Sequence, residues 1–479
     1  MMTLLWIRRD LRCFDNPALM HAVKQGCRHA VYISTPVMWE KHHESSIKLD
    51  LIRRHLMAMA NELSQYGIAL FHLRGSDFAA QTEQLQLFCK EKQLKQVFAN
   101  SEPEIDERVR DQSLLNSSLN ITFFDSDVIA ERGRVLNQSG EMFKVFTPFK
   151  NAWLKHVRLT GAKALGRPSG DGVPPEQQAW AETINLSVIE KLNHNGFTAA
   201  GSPETSSMKW PMADQVMQEV VVEFLNQKVC SYAQKRDIPG IKGTSGLSPY
   251  LAIGAMSGRT LYSQLIQAYP QLCNDTAHPA FSWLNELIWR DFYKHLLFHF
   301  PSLSKGQCFQ RRYEHTRWPG SEEHFQAWST AKTGYPIIDA AMRQLLSTGW
   351  MHNRLRMLVA SFLTKHLLID WRRGEQFFME HLIDGDLSAN NGGWQWAAST
   401  GCDAQPYFRV FNPLLQSKKF DPDGNFIRKY LPELADIPSK FIHFPHEYLA
   451  EQGRAGNYWP ALVEHKAARL KAISFYKAQ

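Results

Sequence analysis

Along the first 130 residues, short apolar runs alternate with amphipathic stretches. Five runs, Leu4–Arg8, Ala30–Ser34, Ala69–Leu73, Gln96–Asn100 and Ile121–Asp125, are compact and apolar enough to predict strands. Between them the spacing turns helical, most clearly from Ser46 to Gln65 and from Phe78 to Lys92. Strands separated by helices predict βαβ units, hence a parallel, Rossmann-like sheet with helices on both faces. No G-x-G-x-x-G follows the first strand, so nothing here predicts NAD binding.

From Arg134 to about Met212 the pattern weakens. Gly161, Gly166, Pro168, Gly170, Gly172, Pro174, Pro175 and Pro203 punctuate it, which predicts a long connecting segment over the surface. Within it, Met142–Val157 reads as a strand end followed by a helix. Beyond Met212 the apolar spacing is helical, in Met212–Gln234, Leu284–Leu297, Ile337–Leu346, Met357–Leu368 and Gln376–Ile383. The expected organisation is an α/β domain at 1–133, an inter-domain linker at 134–212 and an all-α domain at 213–479.

Composition narrows the function. The chain has 479 residues, long enough for two or three domains. Its net charge of +7 permits an anionic partner. Basic residues recur late, among them Arg311, Arg312, Arg343, Arg372, Arg373, Lys418 and Lys419; they read as phosphate contacts only if they share a surface. The seven Cys form no C-x-x-C pair, which argues against a disulfide framework, a zinc ribbon or an iron–sulfur cluster and predicts no metal. Reduced thiols, no signal peptide in MMTLLWIRRDLR and no apolar run of membrane-spanning length predict a cytoplasmic protein.

The aromatic residues carry the chemistry. Of 14 Trp, eight fall between Trp283 and Trp396. Trp is a demanding core residue unless its N–H finds a partner or its ring stacks on something. From Asp384 to Trp396 the chain crowds Asp384, Asp386, Asn390, Asn391, Trp394 and Trp396 together. Such polar groups need partners if buried, so they suit a bound polar, aromatic ligand; a helix-capping loop is the plain alternative. Trp283, Glu286, Trp289 and Arg290 share one face of a helix and would wall a cavity for a flat molecule. Asn353, Arg356 and Met357 repeat that spacing. Tyr232 and the hydroxyl-rich turn of Thr244, Ser245, Gly246, Leu247 and Ser248 suit phosphate, although a simple N-cap explains the turn as well.

These residues together resemble the photolyase/cryptochrome family, and within it the class I cyclobutane pyrimidine dimer photolyases. The resemblance runs from WIRRDLR-x-x-DNPAL (Trp6–Leu19) through TPF-x-x-AW (Thr147–Trp153) to NPLLQSKKFDPDG (Asn412–Gly424). It is strongest at WLNELIWRDFY (Trp283–Tyr293), WMHNRLRM (Trp350–Met357) and DGDLSANNGGWQWAASTG (Asp384–Gly401).

The resemblance implies an all-α domain that holds a U-shaped FAD. Tyr232 and Thr244–Ser248 would take its diphosphate. Trp283, Arg290, Asn353, Arg356, Asp384, Gly385 and Asp386 would line the rest, with Arg356 pairing Asp384 and Asn390 beside flavin N5. Blue light would excite reduced FADH⁻, which passes an electron to a dimer flipped out of the duplex. Trp289 and Trp396 would stack on the lesion. Glu286, Asn353 and Met357 would touch its bases, and Arg236, Arg354 and Gln416 the DNA strand. Trp394, Trp371 and Trp318 would relay electrons to oxidised flavin.

Neither Asn353 nor Met357 is the His of (6-4) photolyases, and Trp289, Trp396 and Asn390 are kept. These features favour dimer repair over the alternatives, a blue-light-sensing cryptochrome or a light-independent flavoprotein or nucleic-acid-binding module. The implied enzyme is a monomer that binds dimer-containing DNA in the cytoplasm, at the nucleoid, and not a membrane. A 5,10-methenyltetrahydrofolate antenna would sit at Glu107 and Lys305. Asp106 stands where the family's pattern has Asn, and a deazaflavin or flavin antenna, or none, stays open.

Overall fold

The computed structural model describes residues 2–194, 197 and 205–479. Contacts group the chain into two compact units. One takes residues 1–227, 245–305 and 383–386; the other takes 228–244, 306–382 and 387–479. These contact groupings cut the chain at other places than the domain boundaries read from sequence.

The first unit is built on a five-stranded parallel sheet in the order β3-β2-β1-β4-β5. Its strands are β1 (Thr3–Ile7), β2 (His29–Ser34), β3 (Ala69–Arg74), β4 (Gln96–Asn100) and β5 (Asn120–Phe124). Each expected strand is found within one residue of its place at either end. Helices cover the sheet, among them α1 (Ser46–Ser64), α2 (Phe78–Glu91) and α3 (Ile105–Leu115). Leu4, Trp6, Val31, Ile33, Leu85, Phe88 and Val97 form a core on one face.

Residues 134–212 hold two helices. The first, α4 (Phe146–Thr160), matches the helix expected there. The second, α5 (Pro175–His194), was not expected. Proline is well placed at its start, because a first-turn N–H has no intrahelical acceptor and its loss costs no helical hydrogen bond. Helix α5 is tied to the sheet by one buried side chain. Asn185 accepts from Leu70 N at 2.6 Å and donates to Ala60 O at 2.8 Å and Ile68 O at 3.1 Å. Pro203 lies outside the described residues.

Helix α6 (Phe281–His299) also belongs to the first unit. The second unit is helical. Its main members are α7 (Pro336–Thr348), α8 (Asn353–Ser361), α9 (Trp371–His381) and α10 (Leu387–Ala397). They enclose an aromatic core with Trp328, Trp371 and Trp394 at its centre. Helical spacing continues past α8 as a wide π-type turn at Phe362–His366. The stretch expected as a helix over Met212–Gln234 is likewise interrupted by π-type turns at Val216–Val221 and Phe224–Lys228.

Candidate functional site

In the first unit, α6 presents Trp283, Glu286, Trp289 and Arg290. Trp283 is buried, and its indole N–H points at Ser245 Oγ, 3.4 Å away. At the turn after Ser245, Gly246 has φ +66°, and a Cβ there would meet nothing within 4 Å. The turn is therefore open beside half-buried hydroxyls and next to exposed Ser248. Helix formation begins at Ser248, and no side chain caps it. The cap expectation for this turn is thus replaced by an open, left-handed glycine.

Trp289 is half-buried and lies flat against Phe146 of α4, ring centroids 3.5 Å apart and planes within 3°. One face of its indole is already covered.

The segment 383–386 is held by lysines that the sequence reading missed. Asp384 and Gly385 are buried. Lys48 of α1, 1% exposed, donates to Gly385 O at 2.7 Å and pairs with Glu44 at 2.5 Å. Lys294 of α6 pairs with Asp386 at 2.7 Å and Asp127 at 3.4 Å. Burial works against the charged ammonium, but Asp386 and Asp127 outweigh it and raise the Lys294 pKa. Asp127 pays for its burial too, yet Arg132 and Lys294 hold it well below the carboxylate range. Arg290 Nη1 donates to Asp127 O. One signal pointed here: Arg290 and Lys294 lie one turn apart on a largely apolar helix.

Asp291, fully buried, ties the same region together. It accepts from Ile129 N, from Ala130 N and from Trp153 Nε1, the last at 2.8 Å. Burial pushes its carboxyl up to about 6, although these donors pull the other way. The Trp of the TPF-x-x-AW motif is thus an anchor of α4.

A cleft opens at the carboxyl ends of β1, β2 and β4, where the strand order reverses. Such crevices are the usual ligand sites of open α/β sheets. Tyr32, Trp39, Phe78 and Glu107 line it. One carboxyl oxygen of buried Glu107 has no hydrogen-bond partner. Burial and neighbouring Glu104 raise its pKa. Lys305 is placed differently from expectation. It does not line the cleft but pairs with Asp106, which also meets Lys41 and His42 at 3.3 Å. An acid where Asn was expected has collected three cationic or basic neighbours.

In the second unit the chain runs into α10, so the plain alternative of a helix-capping loop is replaced over Leu387–Ala397 by a helix. Gly392, Gly393, Asn390 and Asn391 are poor helix formers, but tertiary bonds hold them. Asn390 Nδ2 donates to Glu375 O at 2.9 Å, and Asn391 Nδ2 to Glu375 Oε1 at 2.8 Å. Gln395 Nε2 donates to Asn391 Oδ1 at 2.8 Å. Residues two apart on a helix face different ways. Trp394 is accordingly 2% exposed, whereas Trp396 is half-buried near Phe411.

Trp394 packs edge-on against Phe378 and Trp328, and against the bare face of Gly374. A Cβ at Gly374 would lie 2.1 Å from the Trp394 ring. Trp371 is fully buried beneath Arg372. Trp318 is half-buried against Phe475 and Tyr476. The indole N–H groups of Trp318 and Trp394 have no acceptor.

Of the remaining expected residues, Tyr232 is buried with Arg236 over its ring at 5.5 Å. Asn353 is exposed; Arg356, Met357 and Gln416 are half-buried. Arg356 Nε donates to Met351 O at 2.8 Å. Arg354 pairs with Asp237 at 2.7 Å. Several late basic residues are also paired with acids, including Arg343 with Glu433, Arg372 with Glu314 and Arg373 with Glu322.

Comparison with known proteins decides the family. The model described as "DNA photolyase" matches residues 3–169, and "FAD binding domain of DNA photolyase" matches residues 283–478. The deoxyribodipyrimidine photo-lyase of Escherichia coli (strain K12) is 43% identical, covering 99% of this chain and 98% of that protein. The enzyme of that name from Vibrio cholerae serotype O1 is 44% identical, covering 99% of both. The chain belongs to the DNA photolyase family. Its fold matches the archaeal photolyase of Sulfolobus tokodaii, with a TM-score of 0.77 at 27% identity over the full length of both chains. The photolyase FAD-binding domain therefore includes α6 through α10, and the parallel-sheet unit carries the other family domain. Among the described residues no helix is long and apolar enough to cross a membrane.

Proposed function

We propose that this protein repairs cyclobutane pyrimidine dimers in DNA by light-driven electron transfer, as a cytoplasmic monomer. The observation that carries the reading is α10. It turns one Trp into a sealed aromatic core and leaves the next half-exposed. Full-length similarity to deoxyribodipyrimidine photo-lyases supports the same reading.

The residues present fit FAD. The open Gly246 turn with its hydroxyls and Tyr232 would hold the diphosphate. Trp283, Arg290, Asp384, Asp386, Asn353, Arg356 and Asn390 would hold the flavin and its linker. When bound and reduced, FAD would supply the electron that light makes available. Lys48 and Lys294 fix the 383–386 backbone and the Asp386 carboxylate. Trp318, Trp371 and Trp394 would bring reducing electrons inward from a half-buried to a sealed site. Trp396 and Trp289 would stack on the dimer, with Glu286, Asn353 and Met357 at its bases and Arg236, Arg354 and Gln416 on the strand. We place the functional domains at 1–133 and 213–479, with 134–212 as linker.

A second chromophore would occupy the cleft at Glu107. Its aromatic walls and unpartnered carboxyl oxygen fit a flat heteroaromatic ring. A folate such as 5,10-methenyltetrahydrofolate meets this description, with Lys305 available only if Asp106 releases it.

The test is incubation of reduced, FAD-loaded protein with dimer-containing DNA, in blue light and in darkness. Light should restore intact pyrimidines, and no restoration defeats the reading. Trp396→Ala should weaken binding to damaged DNA by about 1–3 kcal/mol, the scale of base–aromatic stacking. Unchanged affinity would remove Trp396 from the lesion site.

A further inference from the structure

The positive charge of this chain is not spread along it. Between residues 132 and 167 stand eight Lys and Arg and one acid, a net of +7 that equals the net charge of the whole protein. Two of the eight are used internally, Arg132 by Asp125 and Asp127 and Arg167 by Glu62 and Asp214. Among the described residues, no acid lies within ion-pair distance of Lys150, Lys155, Arg158 or Lys163. This contrasts with the paired arginines of the helical unit.

The segment also has a shape. A hairpin closed by the bridge between Leu136 and Met142 faces the outer side of α4. Asn137 stiffens its tip, since its side-chain oxygen accepts from Ser139 N and Glu141 N at 2.9 Å each. Between hairpin and helix lies an open cavity of about 640 Å³, lined by Arg134, Lys155 and His156 and by no Asp or Glu. Arg134 meets only Glu131, at 3.5 Å with both side chains 69% exposed, a pair worth little in water. The opposite face of α4 is anchored through Trp153 and Asp291, so the basic face is presented from a rigid base.

We propose that this groove is a second contact surface for the DNA backbone, separate from the residues assigned to the lesion. A concave, acid-free groove suits a phosphate chain where Arg134, Lys155 and the polar Asn137 and His156 stand beside an apolar floor that includes Phe143 and Leu159. Phosphate contacts of this kind position DNA without reading sequence or damage. The inference rests on the DNA-repair reading above.

It is tested by measuring Kd for damaged and undamaged duplex across a range of salt, for the holoenzyme and for Arg134→Gln/Lys155→Gln. Each phosphate contact contributes about 0.9 to the slope of log K against log salt. The double variant should lose about 2 from that slope and weaken on both DNAs alike, while Arg134→Lys/Lys155→Arg keeps the slope. An unchanged slope overturns the proposal, as does a loss confined to damaged DNA. A wild-type protein that binds no DNA at all would instead defeat the repair reading. Anionic phosphatidylserine vesicles captured through Lys155, with the DNA slope unchanged, would assign the groove to lipid and also overturn it.

Discussion

The two units bury lysines in opposite ways. In the α/β unit, buried charges come with partners. Arg8 meets Asp111 at 2.8 Å, Arg110 meets Glu102 at 2.8 Å, and Lys294 lies between Asp127 and Asp386. In the helical unit, buried Lys365 has no acid partner among the described residues. Lys365 is fully buried, bonded to Arg409 O at 3.1 Å, and burial lowers its pKa to about 7. Burial also takes His352 to about 4 and His366 to about 3, as it takes His55 and His295 of the first unit to about 4. The difference follows from the two tasks. Paired charges fix positions, and the pairs at 383–386 set the backbone that the flavin would rest on. Around the tryptophans, neutral low-dielectric packing leaves few dipoles to reorganise when an electron moves.

The largest effect is expected where the paired region is broken. Lys294→Met leaves Asp127 and Asp386 buried without their shared cation. Breaking one side of a buried pair costs about 3–5 kcal/mol. Thermal unfolding should show that loss, and the purified variant should have lost most of its flavin absorbance. A variant with wild-type stability and full flavin would mean that the first unit is not organised by its charges.

The opposite sign is expected in the helical unit. The Lys365 pKa falls from its ordinary 10.5 to about 7 on burial. A base with a depressed folded pKa adds stability above its unfolded pKa and loses it as pH falls through the folded one. Wild type should therefore lose stability from about pH 10.5 down to about 7. Lys365→Met removes the penalty and should be more stable at pH 7 by about 1–3 kcal/mol, on the scale of buried-ion replacements. Denaturant unfolding at pH 7 and pH 9 checks this: the wild-type difference should shrink in the variant. Equal slopes would show that Lys365 finds charge compensation.

What the sequence made legible follows the same division of forces. The five strands could be placed closely because a sheet covered on both faces needs nearly continuous apolar runs. Helix α10 was hidden, because two glycines and two asparagines argue against a helix, and bonds to Glu375 and Gln395 help to outweigh them. Helix α5 was hidden behind Pro174 and Pro175, and its anchor Asn185 resembles any surface amide until Leu70 is beside it. The tryptophans proposed to act were legible by motif, but the lysines that hold 383–386 were not. Lys48 and Gly385 are 337 residues apart, and no local pattern joins them.

The smallest effect lies at the edge of the paired region, where solvent reaches the charges. Burial opposes ionisation of Asp106, but Lys305, His42 and Lys41 bring its pKa down to about 2. Stability from such a depressed carboxylate is present above pH 3.8 and lost as pH falls through about 2. Because the Lys41 and Lys305 side chains are 59% and 46% exposed, the cluster contributes less than about 1 kcal/mol. Asp106→Asn should therefore barely move the unfolding temperature. It removes the acid that Lys305 is paired with, while an amide can still donate toward a ligand. If the cleft at Glu107 takes a folate, the freed Lys305 ammonium becomes available to the folate carboxylates. Affinity for 5,10-methenyltetrahydrofolate should then rise roughly five-fold, the equivalent of about 1 kcal/mol for one exposed ion pair. Fluorescence titration measures it directly, and an affinity that falls or stays level would separate Lys305 from the chromophore and leave the cleft to Glu107 alone.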